Sequence, residues 1–179
     1  MSALTWVILV AAVLGAIAVY LSWTAGRLDR QHARLDASRA VLDAQLLRRS
    51  GAALDLATSG ILDPAASMLV ADAASRARTE GEQSPEQVQS DLSAVLAAAL
   101  DDPVYLSELA EDPATAATLD ELAGACRRVA HARRFHNVTV NTVRRLRAKR
   151  IVRLLRLSGH AELPEPIEFD DTVPTGLPS

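Results

Sequence analysis

Twenty uncharged residues, ALTWVILVAAVLGAIAVYLS from Ala3 to Ser22, decide how the rest of the chain is read. A helix that long covers roughly 30 Å, the thickness of a bilayer's hydrocarbon core. The chain's two tryptophans, Trp6 and Trp23, stand near the ends of this run, with Tyr20 beside the second. Such amphipathic rings favour the headgroup level of a membrane. A secretory leader opens on Lys or Arg and closes on a small-residue cleavage site, and this segment has neither. A retained transmembrane anchor over residues 1–25 is therefore predicted. Arg27, Arg30 and Arg34 follow the span, whereas no basic side chain precedes it. The positive-inside rule then predicts a single-pass protein of the cell membrane, N-terminus outside and the remaining domain cytoplasmic. Ala11 and Gly15 form a small-xxx-small pair, which leaves a homo-oligomer through packed spans open.

Beyond the anchor, 179 residues in all leave room for one domain of ordinary size. Apolar residues make up 49% of the chain but aromatic ones only 3%, and Ala, Leu and Arg dominate, a composition that favours helices with narrow interfaces over sheets. Charge is segregated. Residues 127–156 hold eleven Lys or Arg and no acid, whereas residues 51–126 hold fourteen acids against only Arg76 and Arg78. The single cysteine, Cys126, excludes an intramolecular disulfide.

No proline or turn cluster interrupts Trp23 to Ser50, so the anchor is expected to continue as one helix. Leu28, Leu35, Leu42 and Leu46, with the small Ser38 between, give it a narrow apolar seam. Asp63-Pro64 and Ser84-Pro85-Glu86-Gln87 each pair an N-cap residue with Pro at the first turn, a short helical segment follows Asp101-Asp102-Pro103, and Asp112-Pro113 starts the last helix. They predict helices over about 64–78, 85–100, 104–110 and 114–157. In the second, Ser84 and Gln87 are expected to satisfy each other's orphan amides as a capping box. Leu119, Leu122, Cys126, Val129, Val140 and Val143 keep the three-four spacing of a bundle or coiled-coil seam, with Arg133 and His136 on the same stripe. The fold predicted is all-α: a transmembrane helix continuing into an antiparallel bundle of three to four helices, long first and last, over residues 26–158. Residues 159–179, proline-rich with five acids, read as an acidic and largely disordered tail.

Folding the last helix back brings a second basic block toward the first. Arg27, Arg30, Arg34, Arg144, Arg145, Arg147, Lys149, Arg150, Arg153 and Arg156 then form a membrane-proximal collar facing an anionic leaflet. The same fold-back sets Asp43 and Gln45 across from Arg133, His136 and Asn137 at mid-bundle. This polar cluster is read either as a register-fixing network or as a ligand site.

Two stretches resemble the signatures of the LemA family. LDAQLLRR, Leu42 to Arg49, is similar to its first helix signature through Asp43, Gln45, Leu46, Arg48 and Arg49. RVAHARRFHN, Arg128 to Asn137, resembles its second through Arg128, Ala130, Ala132, Arg133 and Asn137, with Val140 following. The ending PEPIEFDD, Pro164 to Asp171, is also like that family's. His136 stands where tyrosine is usual and Cys126 where glutamate is, as in a divergent member. The resemblance implies a membrane-anchored helical protein without established catalysis.

No constellation of nucleophile, base and orienting group is present, so no catalytic residue and no enzyme is predicted. His32, His131, His136 and His160 contain no i,i+4 pair, and Cys126 has no partner at ligand spacing, so neither metal nor cofactor is expected. Clustered Arg and Lys suit phosphates, but aromatic stacking platforms are missing, and no nucleic-acid partner is expected. What remains is a non-catalytic scaffold or adaptor with the membrane and an unidentified protein as partners. The alternatives are a helix protein that binds or remodels anionic lipid and a ligand-binding module built on the mid-bundle cluster.

Overall fold

The computed structural model of the chain describes residues 3–79, 83–148 and 163–178. Among these there are five helices and no strand: α1 (Ala3–Thr58), α2 (Pro64–Arg76), α3 (Pro85–Ala99), α4 (Pro103–Leu109) and α5 (Pro113–Arg147). The all-α expectation holds, with the long helices first and last.

Local chemistry explains the boundaries. Pro at the first turn sacrifices no hydrogen bond, because the first amides of a helix are orphans anyway. The residue before it caps the next ones. Asp63 Oδ1 accepts from the amides of Ala65 (2.9 Å) and Ala66 (3.1 Å), and Asp102 Oδ1 does the same for Val104 and Tyr105. Asp112 takes the Thr115 amide at 2.9 Å. At α3 the capping box is half made. Ser84 Oγ accepts from the Gln87 amide at 3.2 Å, but the Gln87 side chain turns forward to Asp91 instead of back to Ser84. An i,i+4 acid competes successfully for that amide group. Helix α1 ends at Thr58, and the turn that follows it holds Gly60, whose φ of +78° is the left-handed conformation that glycine adopts without steric cost.

The chain falls into two compact units, Met1–Ala37 with Val138–Glu165, and Ser38–Asn137 with Pro166–Ser179. The first contains the apolar run. From Leu4 to Tyr20 every side chain is exposed, large aliphatics included, so α1 carries one segment long and apolar enough to cross a membrane. Val140 and Val143 are fully buried in this unit.

The second unit is the bundle proper. Its main core joins Ala53 and Leu56 of α1, Val70, Ala73 and Ala74 of α2, Leu92 and Leu96 of α3, Leu106 of α4 and Leu119, Leu122 and Cys126 of α5. Small residues at many of these positions let the helix axes approach closely, as the Ala-rich composition requires. A second cluster joins Leu42 of α1 to Val129 and Ala132 of α5 and to Ile167 and Phe169. Ser38 meets His136, while Leu42, one turn further along α1, packs with Ala132, one turn back along α5. The two long helices are therefore antiparallel here.

The expected apolar residues of the α5 seam, from Leu119 to Val143, are all buried. On α1, Ser38 and Leu42 are buried and Leu35 and Leu46 half-buried, while the Leu28 side chain lies outside the described residues. The predicted continuation of the last helix to residue 157 lies outside them too.

The tail corrects its prediction. Proline and acid content predict disorder, yet from 163 to 178 the chain is placed, and Ile167, Phe169, Pro174 and Leu177 are buried. Prolines forbid helix without forbidding an extended strap. Ile167 and Phe169 alternate with polar residues, so an extended chain points both the same way, into the bundle. Leu177 reaches the main core.

Candidate functional site

The strap crosses the second unit where three polar side chains come together. Arg49, in α1, is 1% exposed. Its Nη1 donates to Ser93 Oγ at 2.9 Å, and its Nη2 donates to the Gln89 carbonyl at 3.0 Å and to Gln89 Oε1 at 2.6 Å. Arg49 Nε finds no partner among the described residues. Among the described residues no carboxylate hydrogen-bonds to this guanidinium. Burial pushes its pKa down from the usual arginine value, partly offset by proximity to Cys126 and to the carboxylates of Asp171 and Asp170. Arginine so placed stays charged, because its intrinsic basicity is far above neutrality.

Phe169 of the strap lies close to two cations. The Arg49 guanidinium carbon is 5.9 Å from the ring centroid and that of Arg133 5.6 Å, both within cation–π range. Arg133, on α5, forks onto Asp171 through Nε (2.9 Å) and Nη2 (3.0 Å), and its Nη1 donates to Glu168 at 3.0 Å. Hydrogen bonding to Asp171 is the main cause that raises the Arg133 pKa. The bidentate geometry is the strong form of such a pair.

Asn137 lies one turn beyond Arg133 on α5 and reads backbone. Its Oδ1 accepts from the Ile167 amide at 2.9 Å and its Nδ2 donates to the Ile167 carbonyl at 3.0 Å. On the α3 side, Ser90 Oγ accepts from the Asp170 amide at 3.1 Å and Ser93 Oγ donates to the Asp170 carbonyl at 2.6 Å. Asp170 itself turns to Thr172, whose hydroxyl and amide hold its carboxyl below the usual range, helped by Arg49 and Arg133. Further along, Thr175 donates to Asp101 at 2.7 Å and Arg127 to the Pro178 carbonyl.

The five residues expected in one mid-bundle cluster thus divide. Arg133 and Asn137 face the strap. His136 is buried and its Nδ1 lies 2.9 Å from Ser38 Oγ. Burial lowers its pKa, aided by the Arg39 charge and opposed by that of Asp43. Asp43 is exposed and pairs with Arg39 on its own helix at 3.1 Å. Gln45 is half-buried, its Oε1 without a partner among the described residues. The reason is register. Ser38, not Asp43, meets the level of His136, so the two helices are offset by more than a turn from the pairing that chain length suggests. Asp43 instead lines an open groove of about 610 Å³ with Arg39, Leu47, Arg78 and Gln89, which Arg133, His136 and Asn137 do not line.

Of the expected basic collar, Arg27, Arg30, Arg34, Arg144 and Arg145 are exposed and Arg147 is half-buried, all in the first unit. Arg27 stacks on Trp23 at 6.0 Å. Lys149, Arg150, Arg153 and Arg156 lie outside the described residues. Among the described residues no group of three His, Cys, Asp or Glu side chains could hold a metal. The Cys126 thiol is buried, and burial raises its pKa against the pull of Arg49 and Arg127.

Gln89, Ser90, Ser93, Phe169 and Asp171 escaped sequence reasoning. The one available signal was Ile167-x-Phe169 alternation inside a segment otherwise read by composition. No protein-family model, curated protein or solved structure matches the chain.

Proposed function

We propose that the chain is a divergent LemA-type protein: a single-pass membrane scaffold or adaptor whose helical bundle works in the cytoplasm without catalysis. One observation carries this reading. Arg49, Arg133 and Asn137, matching positions in the two signature stretches, converge on PEPIEFDD, the third segment that carries the resemblance. Their hydrogen bonds are spent on Gln89, Ser93 and the chain's own tail, the arrangement of a structural clasp. The exposed apolar face of α1 supports insertion in lipid, and exposed Arg27, Arg30 and Arg34 after it support an N-out orientation.

Topology is tested by thiol labelling of intact cells with an impermeant reagent. A Ser2→Cys chain is expected to react directly, and a Ser179→Cys chain only after permeabilisation; the reverse pattern, or release of the protein by alkaline washing, refutes the anchor. The adaptor role is tested by photo-crosslinkers at the exposed Met68 and Tyr105, which lie in the acidic stretch. They are expected to trap a discrete partner. Substrate turnover by the purified chain, lost in Asp43→Ala, refutes the role.

A second reading, binding of anionic lipid, is favoured by the exposed arginines gathered in the first unit. Each contributes on the order of 1 kcal/mol near an anionic surface. Residues 26–179 sedimenting equally with neutral and anionic vesicles would refute it.

A further inference from the structure

The strap is held as a peptide-binding domain holds a peptide. Asn137 reads both backbone groups of Ile167, and Ser90 with Ser93 reads both backbone groups of Asp170. None of these four bonds depends on the strap's side chains, so they fix an extended conformation and a register only. Selectivity comes from elsewhere. An apolar contact with Leu42 and Val129 takes Ile167 and Phe169, two cations lie within 6 Å of the aromatic ring's centroid, and the Arg133 fork takes the acid at 171. Backbone bonds for grip and alternate pockets for choice are the division of labour in extended-peptide recognition, here with helices in place of a sheet edge. The buried Arg49, which among the described residues bonds to no carboxylate, adds a positive floor suited to an acidic ligand.

We propose that this groove is a recognition site for an acidic, extended segment of a partner protein with the pattern aliphatic, any, aromatic, any, acid, and that residues 167–171 occupy it in cis as an exchangeable ligand. The inference rests on the adaptor reading and supplies the chemistry of the partner. Charge complementarity argues for such a ligand, and the strap itself is the template of what fits. A tethered ligand competes at an effective concentration of roughly millimolar. The wild-type groove is therefore largely closed to weak ligands, and a partner enters by outcompeting the strap.

The test uses the full chain in lipid nanodiscs and a fluorescent synthetic peptide of residues 163–178, with binding read by polarisation. Asp171→Arg sets the strap's side chain against Arg133 and opens the groove. This variant is expected to bind the natural peptide at least tenfold more tightly than the wild type does. Arg133→Asp opens the groove with the opposite preference: it is expected to reject the natural peptide and accept one carrying arginine at the position of Asp171. The chain with both substitutions recloses in cis and returns to weak binding of either peptide. Binding of neither peptide by any variant, or binding without the inversion of preference, overturns the proposal.

Should the single variants lose helix by circular dichroism, hydrogen exchange on the wild type decides. The Ile167 and Asp170 amides are expected to exchange at least a hundredfold faster than those of Leu122 and Val129, since the strap opens on its own. Equal protection overturns the proposal. Association of two wild-type chains with their straps crossed would assign the groove to a second copy and overturn it as well. The topology assay reads the anchor and not the groove, so failure of one reading is distinguishable from failure of the other.

Discussion

Replacing Phe169 with alanine tests whether the strap is a separable layer over the bundle. The residue is 9% exposed. A phenylalanine burying about 200 Å² contributes about 5 kcal/mol gross at 25 cal/mol per Å². The remaining methyl and partial collapse of the site reduce the expected loss to about 3 kcal/mol. Asp171→Ala removes two charge-assisted bonds to Arg133 and is expected to cost about 2 kcal/mol alone. The strap's own docking free energy is the ceiling for any tail substitution, because once it has left the groove no tail contact remains to be lost. The double variant is therefore expected to fall short of the sum of the singles by at least about 1 kcal/mol, which is coupling between groups sharing one site. Leu122→Ala is the contrast. That side chain is fully buried in the main core, cannot undock, and is expected to cost about 3–4 kcal/mol, additively with Phe169→Ala. Guanidinium unfolding followed by helix ellipticity measures the wild type, the three single variants and their pairwise doubles. Simple additivity of Phe169→Ala with Asp171→Ala, or coupling of either to Leu122→Ala, refutes the separable strap.

Other consequences are more local. His136 has its pKa lowered from 6.5 by burial, so the native state holds it neutral while an unfolded chain protonates. Its contribution is fully present above about pH 6.5 and is lost as pH falls through the folded value. Melting temperature is expected to drop from pH 7 to pH 5 in the wild type and less in His136→Gln; parallel profiles refute this. Arg49→Lys keeps the charge but loses the fork to Ser93 and Gln89, leaving buried acceptors unmet, and is expected to cost about 1–3 kcal/mol by denaturation. Gly51 and Gly60 both have open space where a Cβ would stand, so backbone conformation alone decides. Gly51→Ala, inside α1, is expected to stabilise by about 0.5–1 kcal/mol, and Gly60→Ala, at positive φ, to destabilise by about 1 kcal/mol. Equal signs in the two variants would refute the conformational account.

What the sequence by itself determined is everything governed by near neighbours along the chain. The uncharged run before Trp23 makes one helix apolar all round, since hydropathy over twenty residues needs no tertiary contact to be read. Each acid or Ser before Pro starts a helix within a residue or so of where the cap chemistry puts it. The apolar residues of the α5 stripe are buried as their spacing predicts, because Leu119, Leu122, Cys126, Val129, Val140 and Val143 answer to a single helical period.

Tertiary structure decided what depends on registering one helix against another and on a segment with no period of its own. Chain length set Asp43 opposite Asn137, but core packing slid the helices by more than a turn and left Asp43 in solvent with Arg39. A stripe fixes which face is buried and says nothing of how far one helix slides along another. Compositional rules count the acids of the tail as solvated charge. Only the folded bundle supplies Arg133 for Asp171, the twin cations for Phe169 and the amide of Asn137 for Ile167, and with them a bound strap in place of a free tail.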